Sequence, residues 1–180
     1  MNITQNFLSL GKIARGLQGN PVFFDRTVDR IIIHWIGPYL QRISTVRDWW
    51  ENGSDGRGVQ ASAHYVVKDD QVLQCLPLNE VGWHSGDARN RFSIGIEVCP
   101  MDLKGEFSQS TIDTLRDLIL LIRQTHPNAQ IIERHFDGTQ KKDCPRYYTP
   151  IVAMLGEGRV SNPAGGDARW EELRHYIHGA

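Results

Sequence analysis

His135 and Cys144 stand nine positions apart in Arg134-His135-Phe136-Asp137-Gly138-Thr139-Gln140-Lys141-Lys142-Asp143-Cys144-Pro145, a Gly/Lys-rich stretch that reads as a loop after the apolar pair Ile131-Ile132. Imidazole and thiolate are preferred zinc ligands, and a loop of that length can fold back so that both reach one ion. A hydrolytic zinc centre takes three protein ligands and leaves a position for water, whose pKa the metal lowers to about 7. His34, at the exit of the run Ile31-Ile32-Ile33, brings the count to three. The water's proton needs a carboxylate, and Glu97 is the only acidic residue inside a predicted core strand. Burial would raise its pKa and a nearby cation would lower it. Lys142, two positions before Cys144, can bring its ammonium to the oxyanion that develops when water attacks a carbonyl. Its neighbour Lys141 is expected to face solvent.

These groups need a frame. Arg30-Ile31-Ile32-Ile33-His34-Trp35 and Ser93-Ile94-Gly95-Ile96-Glu97-Val98-Cys99 are the continuous apolar runs of strands buried on both faces, which implies a sheet covered by helices. Ala61 to Val67 and Gln71 to Leu76 flank Lys68-Asp69-Asp70 as a hairpin, and Gln130 to Glu133 supplies a last strand. Thr45 to Asn52 reads as a short amphipathic helix with Ser44 as N-cap, ended by Asn52-Gly53 before the flexible loop Gly53 to Gly58. Ser110-Thr111-Ile112-Asp113 has the pattern of a capping box, opening a helix with Ile112, Leu115, Leu118, Ile119 and Ile122 on one face. A short helix is expected around Leu8 to Leu17, a turn at Gly19-Asn20-Pro21, a helix over Tyr147 to Leu155 behind Pro145, and a small terminal helix over Trp170 to Ile177. Strands and helices interleave, so the class is α/β: a single domain with a central mixed β-sheet flanked by helices and the zinc site at the strand ends. Residues 1–155 form the catalytic domain, with 1–29 as a flanking segment; residues 156–180 form a linker, Gly156 to Asp167, and the short C-terminal helix.

The composition narrows the partners. With 20 Lys+Arg against 21 Asp+Glu, the net charge of −1 gives no global field to gather nucleic acid or an anionic membrane, so partners must be recognised by a site. No run approaches the ~20 apolar residues of a membrane span, and the N-terminus lacks the order of a secretory signal. Synthesis in the cytoplasm is therefore expected. Three Cys at irregular spacing do not form a disulfide framework; Cys75 and Cys99 read as inert core thiols. His126 suits a helix C-terminus, and His175 and His178 are expected to be solvated.

Taken together, Ile31-Ile32-Ile33-His34, Ser62-Ala63-His64-Tyr65-Val66-Val67, Trp83-His84-Ser85-Gly86, Ser93-Ile94-Gly95-Ile96-Glu97 and His135 through Lys142-Asp143-Cys144-Pro145 resemble the zinc-dependent N-acetylmuramoyl-L-alanine amidases. That family includes phage and bacterial cell-wall amidases and is related to the peptidoglycan recognition proteins. The resemblance spans roughly residues 30 to 150, and five blocks in order make it specific. It implies cleavage of the amide between the lactyl group of N-acetylmuramic acid and L-alanine. It also implies that His34, His135 and Cys144 bind Zn2+, that Glu97 and Lys142 are catalytic, and that His64 and His84 face the substrate groove. Trp35 and Trp83 could line that groove, although core packing is the default for an aromatic beside a strand. Some members carry a catalytic Tyr where this chain has Ala63, which leaves Glu97 as the base. The loop from His135 to Cys144 is one residue longer than the common form. In some relatives an aspartate is the third ligand, so Asp143 is a rival to Cys144; Cys144 is preferred because it directly precedes Pro145.

The implied function is a peptidoglycan hydrolase of the phage-endolysin type, acting on the cell wall after release, with peptidoglycan as partner. A wall-binding module would begin at the linker and is expected to be missing or vestigial. Two alternatives are a non-catalytic muropeptide-binding module and a cytosolic amidase that recycles soluble muropeptides. Retention of Cys144, Glu97 and Lys142 favours catalysis over the first.

Overall fold

The computed structural model describes residues 1–10, 12–17, 20–21, 26–37, 42–53, 56, 58–140, 142–154, 158–161 and 165–179. In chain order the elements are β1 (Asn2–Gln5), β2 (Gly16–Leu17), β3 (Asn20–Pro21), β4 (Arg30–Trp35), α1 (Ile43–Asn52), β5 (Tyr65–Lys68), β6 (Gln71–Gln74) and β7 (Ser93–Val98). They continue with α2 (Gln109–Thr125), β8 (Ile131–Arg134), α3 (His135–Thr139), β9 (Ile151–Met154), β10 (Gly158–Ser161) and α4 (Gly166–His178). Gly19, Ser54, Asp55, Arg57, Lys141, 155–157 and 162–164, on which parts of the predicted turn, loops, linker and solvent-facing lysine fall, lie outside the described residues.

Six strands form one mixed sheet in the order β1-β6-β5-β7-β4-β8. β4 runs parallel to both β7 and β8, β7 parallel to β5, and β5 antiparallel to β6 through the predicted hairpin, where Asp69 takes the left-handed conformation at φ 50°. Alternation of side chains then divides the sheet. Ile31, Ile33, Ile94, Ile96 and Val98 pack beneath Leu115, Leu118, Ile119 and Ile122 of α2. Val66 and Leu73, on the opposite face, pack with Val46 and Trp50 of α1 and with Leu8 and Ala14 of the N-terminal segment. In β4 and β7, His34 and Glu97 point away from the α2 side. They are register partners on adjacent parallel strands, one residue before the strands end.

Several expectations are corrected. The helix around Leu8 to Leu17 is instead a 3-10 turn at Ile13–Arg15 leading into β2, and β1 precedes it as an exposed strand added parallel to β6. A strand whose residues are all exposed carries no burial pattern, which is why the alternation did not announce it. α1 begins after Arg42, which holds the N-cap position without a side-chain cap, leaving Ser44 inside the first turn, and α2 begins at Gln109, where the Ser108 hydroxyl accepts the Thr111 N–H at 3.1 Å. In place of a helix over Tyr147 to Leu155 there is a 3-10 turn at Arg146–Tyr148 and then β9, because Pro150 breaks helical continuity and Ile151-Val152 favour a strand. β9 pairs antiparallel with β10, so the predicted linker contains a strand. The stretch after Arg134 opens as the five-residue helix α3, because Asp137 accepts the Arg134 backbone N–H at 2.7 Å and its guanidinium at 2.6 Å.

The terminal helix starts earlier than predicted and belongs to the core. Trp170, Leu173 and Ile177, at helical spacing, pack in the same cluster as α2, and Arg134 reaches Asp167 at 2.7 Å while its guanidinium covers the Trp170 ring. Trp170→Ala should therefore cost ~3–5 kcal/mol by urea denaturation at unchanged m value. A loss below about 1 kcal/mol would show α4 to be a dispensable appendage. Among the described residues, no helix is long and apolar enough to cross a membrane.

Candidate functional site

Three segments meet at the carboxyl ends of the parallel strands. β4 delivers His34, the β8–α3 junction delivers His135, and the loop before Pro145 delivers Cys144, tied back by the Phe136 N–H donating to the Cys144 carbonyl at 2.9 Å. All three are buried, and one ligand atom from each lies within 4.8 Å of the others. His34 Nδ1 is 3.1 Å from His135 Nδ1 and 3.7 Å from Cys144 Sγ. His135 Nε2 donates to the Ser85 carbonyl at 3.0 Å, and a carbonyl can only accept, so the bare lone pair of His135 is on Nδ1, facing His34.

The electrostatics suit a cation. Burial drives His34 well below the ordinary imidazole range, with His135 adding to the effect, and burial with Lys142 takes His135 down to about 4. Burial, then Glu97, pushes the Cys144 thiol well above its usual value. Two neutral imidazoles and a protonated thiol crowded together are poor partners for one another. A borderline-soft divalent ion fits them: it takes nitrogen lone pairs and displaces the thiol proton. The donor set therefore fits zinc. Asp143 is not in this cluster; its carboxylate accepts from Arg146 Nε at 2.7 Å.

Glu97 is partly buried beside His34 and opens into a cleft of about 330 Å³ lined also by Trp35, Trp50, Trp83, Lys142 and Asp143. Burial raises Glu97 to about 8, against the pull of Lys142. The sign of the resulting stability effect follows from proton counts. Between about 4.5 and about 8 the folded protein holds a proton on Glu97 that the unfolded chain releases, so this group's contribution to stability falls as pH rises through that window. In chelator-treated protein, Glu97→Gln should remove that fall. Urea midpoints measured near pH 7 and near pH 8 check this, and parallel wild-type and variant profiles would refute it.

A second, more apolar recess of about 520 Å³ shares Trp35, Trp50 and Glu97 with the cleft and extends to Trp49, which is more than half exposed. The Arg146 guanidinium lies 4.7 Å above the Trp35 ring, holding that indole at the boundary. Trp35, Trp83 and His84 line the cleft. His64 does not. It is fully buried, its Nδ1 accepts the Gly95 N–H at 3.1 Å and its Nε2 meets the Glu80 carbonyl at 3.0 Å. Burial and Arg26 push its pKa down to about 3. No nitrogen is left for a substrate, so the groove role is replaced by that of a strut between β7 and the segment before Trp83. Sequence reasoning missed Trp50, whose place in an amphipathic helix read only as core, and Ser85, Asn90 and Ser93. Their contribution lies in hydrogen bonds across segments, which residue type alone does not announce.

A family model described as N-acetylmuramoyl-L-alanine amidase matches residues 24–147. The N-acetylmuramoyl-L-alanine amidase XlyA of Bacillus subtilis (strain 168) is 30% identical over 159 residues, covering 81% of this chain and 47% of that protein. CwlA of the same strain, also named as such an amidase, is 48% identical over 103 residues, 54% of this chain and 35% of CwlA. The chain thus spans less than half the length of these curated relatives. Among solved structures, the catalytic domain of XlyA aligns at a TM-score of 0.72 with 24% identity, covering 98% of this chain and 99% of that one. The PlyG catalytic domain aligns at 0.70 with 17% identity, covering 99% and 94%.

Proposed function

Because the chain belongs to the N-acetylmuramoyl-L-alanine amidase family, we propose that it hydrolyses peptidoglycan at the amide joining the lactyl group of N-acetylmuramic acid to L-alanine, as an endolysin-type enzyme. The observation that carries this reading is the placement of Glu97 beside His34 at the ends of adjacent strands, facing one cleft with the His34–His135–Cys144 cluster.

His34, His135 and Cys144 would hold zinc, which when bound supplies Lewis acidity that activates water near neutral pH and polarises a carbonyl oxygen. The chain's own groups do the rest. Glu97, its carboxyl ionised under the pull of a nearby cation, takes a proton from water as the water oxygen attacks the amide carbon, and the resulting carboxylic acid then protonates the departing L-alanine nitrogen. Lys142 turns its ammonium to the oxyanion formed in between. The C–N bond breaks to leave a lactyl carboxylate and a free α-amino group, so each turnover consumes one water and Glu97 returns to its starting state. Trp35, Trp50 and Trp83 wall the cleft and orient the chain on either side of the scissile bond.

The test is digestion of purified cell walls by zinc-loaded protein. New L-alanine amino termini should appear without new reducing sugar ends. Absence of new amino termini would overturn the assigned reaction, and turnover only on soluble muropeptides would point to recycling instead of wall lysis.

A further inference from the structure

We propose, resting on the amidase reading above, that the apolar recess beside α1 holds the glycan strand, with Trp49 as the residue that selects for it, and that the peptide stem leaves the scissile amide on the Lys142 side. One bond is cut, so both arms of the substrate must be seated, one to each side of Glu97.

The two arms differ in charge, and so do the two halves of the site. With its lactyl carboxyl tied up in the amide, N-acetylmuramic acid is a neutral sugar, with apolar C–H faces and an acetyl methyl. The stem beyond L-alanine carries ionisable carboxyl and amino groups. The recess and the cleft share Trp35, Trp50, Ala61 and Glu97; beyond that shared edge, among the described residues, the recess adds only Gly37, apolar side chains and the Thr45 hydroxyl. The cleft adds Lys142 and Asp143 on its own side. An ionised stem group moved into the recess would lose hydration without gaining a partner, whereas a neutral sugar can lay its C–H face on indole and leave its hydroxyls to water. At about 520 Å³, the recess lies within the ~300–1,000 Å³ usual for small-ligand sites.

Trp49 points to the same occupant. Its neighbour Trp50 is 4% exposed and packs with Val46, but Trp49 is 53% exposed where it lines the recess. An indole left that open is not held there by core packing, and an aromatic side chain beside a cleft is the type that binding sites use to gain contact area. Exposed Thr45 stands one helical turn before it, so a hydroxyl and an indole share one face of α1. The helix that carries them is tied down on its own account. Arg47 donates to the Phe7 carbonyl at 2.8 Å, Glu51 accepts the Ser9 N–H at 3.0 Å, and the Val59 N–H donates to the Trp50 carbonyl at 3.1 Å. A platform already ordered costs little further entropy when a polymer settles on it. In a glycan strand, sugars continue beyond the N-acetylmuramic acid whose amide is cut. A subsite that runs from Glu97 out to Trp49 therefore favours the wall polymer over peptides that carry no sugar.

Two soluble substrates with the same scissile amide separate the arms: the disaccharide N-acetylglucosaminyl-N-acetylmuramic acid bearing the stem tripeptide L-Ala-D-Glu-L-Lys, and the lactyl tripeptide without any sugar. Zinc-loaded wild type should favour the first in kcat/KM. Trp49→Ala should cut that preference by about tenfold, the scale of one aromatic contact, through KM more than kcat. Trp49→Tyr, which keeps a ring, should retain most of it. In a separate titration, the indole proton–nitrogen signal of Trp49 should shift with the disaccharide alone and stay in place with the free tripeptide. No preference in the wild type, a preference unaltered in Trp49→Ala, or an indole shift produced by the tripeptide instead of the sugar would overturn the proposal, the last by seating the stem in the recess. If the wild type cleaves neither substrate, the assigned reaction falls, and the indole titration still decides which arm the recess takes.

Discussion

Replacing Glu97 by Gln is expected to lower kcat for amide hydrolysis by ~10²–10⁴-fold, the usual contribution of a positioned general base, with zinc affinity and folding retained. The substitution is nearly isosteric and removes only the capacity to take a proton. Its effect should be large because, among the described residues, no other free carboxylate lines the cleft. The other acidic residue lining the cleft, Asp143, is held by Arg146 at 2.7 Å. Loss of the base should appear in kcat more than in KM, because proton transfer belongs to the transition state and substrate contacts with the aromatic walls remain. Timed release of L-alanine amino termini from purified walls measures it. A variant keeping more than about a tenth of the wild-type rate would place the base elsewhere. One losing zinc as well would make Glu97 a support of the cluster instead.

The parts of this site that were legible in the sequence share one property: each is an exception to a strong local pattern. Glu97 was conspicuous as an acid inside Ile94-Gly95-Ile96-Glu97-Val98, and His34 as a polar residue closing three consecutive isoleucines. Those same runs defined β4 and β7, so the strands and the residues they present were read together. The position of the two side chains relative to each other was less accessible, since it depends on register, and register is set by pairing between residues 63 positions apart. The bonds from the backbone N–H groups of His84 and Ser85 to Asn90 Oδ1, at 3.1 and 2.9 Å, were invisible for a related reason. Ser, His and Asn in a loop are ordinary, and only their mutual distances in the fold give them direction. β1 and β9 show the limit from the other side. β9 is a wholly apolar run, Ile151 to Met154, short enough to suit a helix or a strand alike, and β1 is an exposed strand that exists because β6 offers it a hydrogen-bonding edge. For α4 the sequence suggested only a small helix over Trp170 to Ile177, with no sign that Trp170, Leu173 and Ile177 would be covered by the core.

The geometry of the cluster also makes the third ligand testable. Cys144→Ser should weaken zinc binding by more than the ~100-fold that marks the upper end of outer-shell effects, because a hydroxyl replaces the thiolate that neutralises half of the ion's charge. Asp143→Asn should leave affinity within about tenfold of wild type, its carboxylate being 2.7 Å from Arg146 and outside the group of atoms that converge with His34 and His135. The two variants differ in a second respect. Burial and Glu97 keep the Cys144 thiol protonated without a cation, so zinc uptake by the wild type should release a proton as the thiolate forms. Calorimetry in buffers of different ionisation enthalpy counts that proton. The release should be unchanged in Asp143→Asn and smaller by the thiol's proton in Cys144→Ser, which should also lose the sulfur-to-metal absorption seen when cobalt replaces zinc. Reversal of that pattern, with zinc lost only from Asp143→Asn, would transfer the ligand role to the aspartate. The Arg146 ion pair would then have to open for the ion to bind, a rearrangement that Arg146→Ala should make easier.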